Sequence, residues 1–412
     1  MSGGFSDILR SLEERDARKL ERKVPSWSGV SVEIPQSINF QQCSGEIAAR
    51  YKASLVAPGA RVADLTGGLG VDSWAFSQVA SAVWYNERDA VLRDAVGRNF
   101  AALGVSNVAF NCFDISPDAS DWQEALKAFA PDVVYLDPAR RDASGRKVFL
   151  LEDCSPDVLA LMPSLLSLAP AVMVKVSPMA DITMLRRRLQ GYLSEIHVVG
   201  ADSECKELLC VCSCPRAIGQ LCLRPILALT NMRPEAQLAE APVVLFENGY
   251  VFAAQKKILQ TSASLHPSHC ASLVGPSRSS GHGRPLFAEF SSASATTYPI
   301  NNEPLLFVPS AAMVKAGMGP GMCLMPFSEP LSHFGRFWQV IENLPFAASE
   351  IKTLRRRYPQ ADVTARGVPI TSDQLRSKLH VTPGGPVHIF ACSLASSRRL
   401  LICTPYIPPI VP

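Results

Sequence analysis

Acidic side chains follow three consecutive apolar runs in the first half of the chain. Asp64 ends the run RVAD, Glu87 comes directly after AVWYN, and Asp114 comes directly after NVAFNCF. Carboxylates accept charge-assisted hydrogen bonds, which contribute roughly 1.5–3 kcal/mol each. A group of carboxylates repels a diphosphate but suits a ligand that carries positive charge and ribose hydroxyls. The pattern therefore indicates a site for a cationic, nucleoside-like molecule.

A glycine-rich loop, ADLTGGLGVD at 63–72, follows the first of these runs. Gly67, Gly68 and Gly70 would let the backbone turn sharply and approach a ligand closely. The loop is a poor dinucleotide fingerprint, because Ser73 stands where the third glycine of that motif belongs. Asp72 adds another carboxylate beside the loop. A tight strand-to-helix turn without any ligand is the alternative interpretation.

The second and third acids narrow the choice of ligand. Glu87 lies 20 residues after Gly67, where a carboxylate can accept both hydroxyls of a ribose, although this alone would fit NAD equally well. Asp114 would lie near the amino group of an adenine. Three strand-end acids favour S-adenosylmethionine, which carries a sulfonium and an ammonium. We predict that the cofactor site contains Asp64, Thr66, Gly67, Gly68, Gly70, Asp72, Glu87 and Asp114.

The fourth apolar run, DVVYL, ends in DPARR at 137–141. Asp137 could accept a hydrogen bond from a nucleophilic amine or orient it, and Pro138 would stiffen the loop. Arg140 and Arg141 could bind phosphates, or could stay solvated and pair with neighbouring acids. Lys175, after the fifth run, could contact the substrate or cap the rim of the sheet. We predict Asp137 and Pro138 as catalytic residues, and Arg140, Arg141 and Lys175 as substrate-binding residues.

The elements that would position these residues alternate regularly from Arg61 onward. Apolar runs of strand length at 61–65, 82–87, 107–113, 132–137 and 171–177 alternate with helical patterns. Such alternation predicts a Rossmann-like, doubly wound α/β sheet, and the runs at 195–201 and 207–214 would close its edge. Gly104 is expected to stop a helix over 89–104. Residues 1–55 are predicted to form a helical segment, in which Ser44 caps a helix over 43–55.

The alternation stops beyond Pro215. A hairpin is predicted around Asn248, and two helices and two strands after residue 345 predict a small α+β module. The fold class is therefore α/β, with an N-terminal helical segment and C-terminal α+β domains.

The composition excludes several classes of protein. The formal net charge is only +3, so any contact with nucleic acid must use a local patch rather than a global basic field. The uncharged, apolar run from Val158 to Val174 is interrupted by Pro163 and Pro170 and is too short to span a bilayer. The N-terminus is charged and has no apolar signal core. A cytoplasmic protein without membrane contact is expected.

The cysteines predict no metal site. Cys210, Cys212 and Cys214 alternate along a predicted strand, which spaces them by roughly 6.7 Å along one face, too far for ligands of one zinc ion. The sequence also contains no CxxC pair. Cys154 could be imagined as a nucleophile for C5 methylation of a pyrimidine, but its neighbours are acids, which favour a bystander thiol.

The motifs LTGGLGVD, YNERD and YLDPARRD resemble those of class I S-adenosylmethionine-dependent methyltransferases. The whole chain is similar to a narrower bacterial family that adds a ferredoxin-like middle domain and a THUMP-like C-terminal domain. The segments that carry this narrower resemblance are CSGEIAARYKASL (43–55), ADLTGGLGVD (63–72), DPARRD (137–142), VKVSPMAD (174–181), ECKELL (204–209), AAMVKAG (311–317) and parts of 366–385.

The resemblance implies a division of the chain into four parts and a class of substrate. The parts are an N-terminal helical segment (1–55), a methyltransferase domain (56–225), a ferredoxin-like domain (226–345) and a THUMP-like domain (346–412). THUMP domains serve RNA-modifying enzymes, so the expected partner is RNA, as rRNA or tRNA. DPAR differs from the Asp-Pro-Pro-aromatic loop of exocyclic-amine methyltransferases, which leaves the methylated atom open. A protein or small-molecule acceptor, and a non-catalytic RNA-binding protein with this fold, are the alternatives.

Overall fold

The structure, a computed structural model, describes residues 19–139, 151, 154–213, 243–248, 250–253, 272–275, 286–289, 305–317, 322–394 and 397–408. Tertiary contacts divide the chain into two compact units. The first unit contains the described residues of 19–201, 205–265 and 274–286, and the second contains those of 202–204, 266–273 and 287–408. Within the described ranges, no helix has both the length and the apolar character needed to cross a bilayer.

The larger sheet has eleven strands. They are β1 (Arg61–Asp64), β2 (Ala82–Asn86), β3 (Val108–Asn111), β4 (Val133–Leu136), β5 (Ala171–Val176), β6 (Leu193–Ala201), β7 (Glu204–Ser213), β8 (Val243–Glu247), β9 (Tyr250–Ala253), β10 (Ser272–Gly275) and β11 (Leu286–Glu289). Their order across the sheet is β11-β10-β9-β8-β6-β7-β5-β4-β1-β2-β3.

Strands β1 to β5 are parallel, because β1 pairs with β2 and β4, β2 with β3, and β4 with β5 in the same direction. Strand β7 pairs with β5 in the opposite direction. The chain order reverses at β1, which has β2 on one side and β4 on the other, so a topological switch point lies between β1 and β4. The predicted doubly wound α/β sheet is confirmed. The prediction that the runs at 195–201 and 207–214 close its edge is wrong, because β8 pairs with β6 and the sheet continues through β9, β10 and β11.

Helices connect and cover these strands. The first unit contains α1 (Ser37–Gln42), α2 (Glu46–Leu55), α3 (Val71–Ser77), α4 (Ala90–Ala102), α5 (Asp121–Phe129), α6 (Val158–Leu168) and α7 (Ile182–Arg188). Val62, Val83 and Val133 on the central strands are fully buried. Strands enclosed on both faces are apolar throughout, which explains the continuous valine-rich runs in the sequence.

The sequence predicted the C-terminal end of α4 correctly and the N-terminal cap of α2 incorrectly. The Asp89 side chain caps α4 by accepting hydrogen bonds from the backbone. Gly104 follows the last turn of this helix with a φ of 72°, as predicted. The prediction that Ser44 caps α2 is wrong. Gly45 occupies the N-cap without a side-chain bond, and the Ser44 hydroxyl instead donates to the Asp72 carboxylate at 2.8 Å.

The second unit contains a six-stranded sheet. Its strands are β12 (Leu305–Pro309), β13 (Cys323–Met325), β14 (Gly335–Pro345), β15 (Asp362–Arg366), β16 (His388–Leu394) and β17 (Ser397–Pro405), in the order β13-β12-β14-β17-β16-β15. Its helices are α8 (Ala311–Ala316), α9 (Glu329–Ser332), α10 (Ala348–Arg357) and α11 (Ser372–Leu379).

Helices α10 and α11 cover one face of this smaller sheet. Leu354, Leu375 and Leu379 form a core with the strand residues Ile389 and Ile402. The two helices and two strands predicted after residue 345 are present, together with a third strand, β15, that the sequence did not predict. The predicted hairpin of β8 and β9 is confirmed, and Asn248 adopts a φ of 49° there. The four-part division of the chain stays a prediction. The structure adds that β14, which lies before the predicted boundary at residue 345, pairs with β17, which lies after it.

Candidate active site

A cavity of about 810 Å³ lies at the carboxyl ends of β1, β2, β4 and β5, beside the switch point of the larger sheet. Ligands of open α/β sheets bind at this edge. The structure brings most of the predicted site residues to this cavity. Those that line it are Thr66, Gly67, Gly68, Gly70, Asp72, Glu87, Asp114, Asp137, Pro138 and Lys175.

Asp64 lies elsewhere. It is fully buried and is absent from the residues that line the cavity. One of its oxygens accepts from Thr66 N at 3.1 Å and the other from Ser73 Oγ at 2.6 Å. Burial raises the pKa of Asp64 to about 7, and the nearby Asp72 and Asp137 charges act in the same direction. Asp64 therefore supports the glycine-rich loop from beneath.

The three glycines of the loop are required for different reasons. A Cβ at Gly67 would overlap the Tyr85 ring, and a Cβ at Gly70 would lie 2.8 Å from Val96 and 2.9 Å from Phe100. Both glycines are therefore needed because protein side chains pack against them. The sequence had instead predicted that a ligand packs there. Gly68 has a φ of 54°, and a Cβ there would have no neighbour closer than 4.0 Å. Of the three, only Gly68 combines a left-handed backbone with open space.

The Glu87 carboxylate anchors this loop at the end of β2. Its oxygens accept from Gly68 N and from Asp89 N, both at 3.0 Å. The Asn86 side chain joins three strand ends, because it donates to the Leu65 and Phe113 carbonyls and accepts from Phe113 N. These bonds hold the loops after β1, β2 and β3 together, which lets Glu87 and the exposed Asp114 line the same cavity.

Asp137 lies at the end of β4, opposite the loop after β1. Its backbone N donates to Thr66 Oγ1 at 2.6 Å, and its side chain is 32% exposed. Ala139 and Ser155 exchange two backbone hydrogen bonds of 2.8 and 3.0 Å, which tie the loop after β4 to the start of the α6 region. The backbone around Asp137 and Pro138 is therefore fixed on both sides.

Lys175, near the end of β5, forms an ion pair with Asp137. The Nζ–Oδ2 distance is 2.6 Å, and a second carboxylate, that of Glu207, lies 3.9 Å from Nζ. Burial alone disfavours the ammonium, but Asp137, Glu207 and Asp72 outweigh it and raise the pKa of Lys175. Lys175 therefore stays charged throughout the neutral range.

Behind Lys175 lies a buried group of charges that the sequence did not predict. Lys52 on α2 is fully buried and contacts Glu207 Oε1 at 2.6 Å, Asp72 Oδ1 at 3.0 Å and Ser44 Oγ at 3.0 Å. The Tyr135 hydroxyl donates to the other Asp72 oxygen at 2.9 Å. Burial by itself would raise the pKa of Asp72, but the Lys52 and Lys175 ammoniums and the Ser44 hydroxyl lower it.

One signal in the sequence could have revealed this group. Lys52 follows Ala48 by one helical turn and stands beside Tyr51, on the apolar side of α2. Glu207 likewise opens the apolar stretch ELLCVC in β7. A charge in an apolar face needs a buried partner of opposite sign. The sequence alone does not show which acid meets which base.

The remaining predictions concern residues away from this group. Arg140 and Arg141 lie outside the described residues. Cys154 is absent from the residues that line the cavity. Cys210 and Cys212 are fully buried in β7, and burial raises the pKa of the Cys210 thiol to about 12, which makes both structural thiols. In the described ranges, no cluster of three or more His, Cys, Asp or Glu side chains could hold a metal ion.

One solved structure resembles nearly the whole chain, and a family model matches its C-terminal part. A crystal structure of a candidate methyltransferase from Porphyromonas gingivalis W83 is 25% identical in sequence, covers 95% of this chain and 88% of its own, and superposes with a TM-score of 0.66. Residues 335–405 match the family model described as THUMP domain-like. The chain therefore has a class I methyltransferase fold with a THUMP-like C-terminal domain, as the resemblance implied.

Other structures match over shorter stretches. An S-adenosylmethionine-dependent methyltransferase from Agrobacterium tumefaciens is 15% identical, covers 44% of this chain and 63% of its own, and gives a TM-score of 0.30. TrmN from Thermus thermophilus is 16% identical, covers 42% of this chain and 51% of its own, and gives a TM-score of 0.31. No curated protein sequence matches the chain significantly.

Proposed function

We propose that this protein is an S-adenosylmethionine-dependent methyltransferase that modifies RNA in the cytoplasm. The observation that carries the proposal is the cavity beside the switch point. It gathers the glycine-rich loop and the carboxylates of Asp72, Glu87, Asp114 and Asp137 on one edge of the sheet. This composition favours a cation over a diphosphate. The similarity to the P. gingivalis candidate methyltransferase supports the same reaction class.

The side chains of the cavity fit this cofactor. Asp114 is exposed and has no hydrogen-bond partner among the described residues, so its carboxylate is available to a ligand. Each Glu87 oxygen accepts one backbone N–H and retains capacity for another donor. In this proposal Glu87 holds the ribose hydroxyls, Asp114 the adenine amino group, and Asp72 and the Gly68 backbone lie beside the amino-acid part.

At the reaction site, Asp137 orients the acceptor. Bound S-adenosylmethionine supplies a methyl group on a sulfonium, which a nucleophile takes as the neutral thioether departs. Asp137 Oδ1 has no partner among the described residues, so it can accept a hydrogen bond from an N–H of the acceptor and fix the direction of its lone pair. Lys175 Nζ contacts the other oxygen, so the proposed contribution of Asp137 is to align the acceptor.

RNA is the proposed substrate class because residues 335–405 match a THUMP-like domain and such domains serve RNA-modifying enzymes. Arg140 and Arg141, which follow Asp137 and Pro138 in the sequence, would contact its phosphates. The proposal retains the four-part division of the chain, in which the last two domains bind the RNA.

Transfer of a labelled methyl group tests this proposal. The full-length protein is incubated with cofactor labelled in the methyl group and with separated pools of cellular RNA, protein and metabolites. Label in an RNA pool, lost in the Asp137→Ala variant and kept in Asp118→Ala on the exposed surface, is the expected result. Label only in protein or metabolites would reject RNA as substrate, and no label in any pool would favour a non-catalytic protein.

A further inference from the structure

The ammonium of Lys175 touches partners from three different elements. It contacts Asp137 Oδ2 at 2.6 Å, Ser44 Oγ at 3.3 Å and Glu207 Oε2 at 3.9 Å. Asp137 follows β4, Ser44 precedes α2, and Glu207 lies on β7. A flexible lysine side chain held by groups from three elements is fixed in position, and this position lies directly behind the Asp137 carboxylate.

The Ser44 hydroxyl links this contact to the buried group of charges. It donates to Asp72 Oδ2 at 2.8 Å and accepts from Lys52 Nζ at 3.0 Å and from Lys175 Nζ at 3.3 Å. A hydroxyl can donate once and accept twice, so these three bonds use its full capacity. Ser44 therefore sets the spacing between two ammoniums that would otherwise repel each other.

The charges in this group do not cancel. Lys52 and Lys175 supply two positive charges, whereas Asp72, Glu207 and Asp137 supply three negative ones, which leaves one formal negative charge. Asp72 and Glu207 are almost fully enclosed, at 9% and 4% side-chain exposure, whereas Asp137 is 32% exposed. The uncompensated charge therefore faces the cavity through Asp137.

We propose that Lys175 is a positioning residue that holds Asp137 as an anion with one oxygen turned to the cavity, and that Ser44, Lys52 and Glu207 hold Lys175 in turn. This inference rests on the proposed function, because the oriented Asp137 carboxylate would face the cationic ligand that the proposed function assigns to the cavity. It assigns Lys175 to the support of Asp137 and gives the N-terminal segment, through Ser44 and Lys52, a part in the site.

The first test uses the ligand-free, full-length protein. Thermal unfolding is measured for wild type, Lys175→Met, Asp137→Asn and the double variant at about pH 5.5 and pH 8. Lys175→Met leaves the Asp137 carboxylate without its cation and should lower the unfolding temperature, and adding Asp137→Asn should restore part of that loss. Lys127→Met, on the exposed face of α5, is the matched control and should change little at either pH.

The second test compares ligands that differ by one charge. Calorimetry gives the ratio of affinities for S-adenosylmethionine, a sulfonium, and S-adenosylhomocysteine, a neutral thioether. Lys175→Arg, which keeps the cation, should show the wild-type ratio. Lys175→Met, which removes the positive charge behind Asp137, should raise the ratio at least about threefold. Asp137→Asn should lower the ratio.

The outcomes separate this inference from the proposed function. If wild type binds neither ligand, the proposed function fails, while the unfolding cycle still decides whether Lys175 supports Asp137. Additive effects of Lys175→Met and Asp137→Asn at both pH values would overturn the inference. So would an unchanged ligand ratio in a folded Lys175→Met variant.

Discussion

The glycine-rich loop gives a prediction at the scale of single atoms. Gly70→Ala forces a side chain into a φ of 83° and against Val96 and Phe100, and should destabilise the protein by at least about 1 kcal/mol. Gly97→Ala, inside α4, meets no atom within 4 Å and should stabilise it by about 0.5–1 kcal/mol. Denaturant unfolding of both variants checks this prediction. Equal effects of the two changes would contradict it.

Asp64 gives a prediction about pH. Folding raises its pKa from the ordinary value of 3.8 to about 7, so the folded state holds the proton more tightly than the unfolded chain. Stability is then lost as the pH rises from about 4 to about 7, by at most about 4 kcal/mol. Asp64→Asn should remove this loss. As the pH rises from about 4 to about 7, the unfolding free energy of the variant should therefore increase relative to that of wild type.

The Asp64 comparison uses equilibrium unfolding of wild type and Asp64→Asn at several pH values. The constant offset between the two proteins reports the lost hydrogen bonds to Thr66 and Ser73, whereas its change with pH reports the carboxyl proton. A difference that does not vary between about pH 4 and pH 7 would show that burial does not perturb Asp64.

Glu87 gives a prediction about the cofactor. Glu87→Ala should weaken binding of S-adenosylmethionine by roughly 1.5–3 kcal/mol, ten- to a hundredfold, because it removes an acceptor for the ribose and frees Gly68 N. Isothermal titration calorimetry measures the effect, with Glu124→Ala on the exposed side of α5 as control. Unchanged affinity in the Glu87 variant would remove this residue from the site.

At the scale of elements, helix α2 connects the N-terminal segment to the core of the first unit through Lys52. Lys52→Met keeps most of the side-chain volume but leaves Asp72 and Glu207 buried without their partner, which should destabilise the protein by roughly 3–5 kcal/mol. Arg98→Met removes the exposed ion pair with Glu33 and should have little effect.

Urea unfolding of the Lys52 and Arg98 variants measures this difference. A further variant that replaces Lys52, Asp72 and Glu207 together by apolar residues should be less destabilised than Lys52→Met alone, because no charge is then left unpaired. If Lys52→Met and Arg98→Met cost the same, the buried charges contribute no more than the surface pair and the prediction is wrong.

At the scale of the whole molecule, RNA binding by a chain of net charge +3 must depend on local positive patches. Affinity for the RNA pool that accepts label should therefore fall steeply between about 50 and 200 mM salt. Arg355 and Arg356 are exposed on α10, whereas Arg357 pairs with Glu342, so Arg355→Ala and Arg356→Ala should reduce the salt dependence more than Arg357→Ala. Filter binding at several salt concentrations measures how RNA affinity depends on salt for each variant. An equal salt dependence in all three variants would exclude a contact by this helix.

The sequence determined the fold of this protein to a large extent. Runs such as VVYL and AVMVKV are typical of buried strands, and the helical patterns between them indicate crossovers that keep neighbouring strands parallel. The carboxyl ends of parallel strands meet at one edge, so the sequence also predicted that Glu87, Asp114 and Asp137 would share a cavity. Their spacing along the chain and the direction of each strand were sufficient for that conclusion.

Only the tertiary structure decided how the charges are paired. Lys52 is separated from Glu207 by 155 positions and Lys175 from Asp137 by 38, and no local pattern specifies such partners. Ser44 has the residue type of a helix cap, yet its hydroxyl bonds to Asp72 and the two ammoniums. Local sequence fixes secondary structure because its hydrogen bonds are short-range, whereas the partner of a buried charge is whichever opposite charge the completed packing brings within reach.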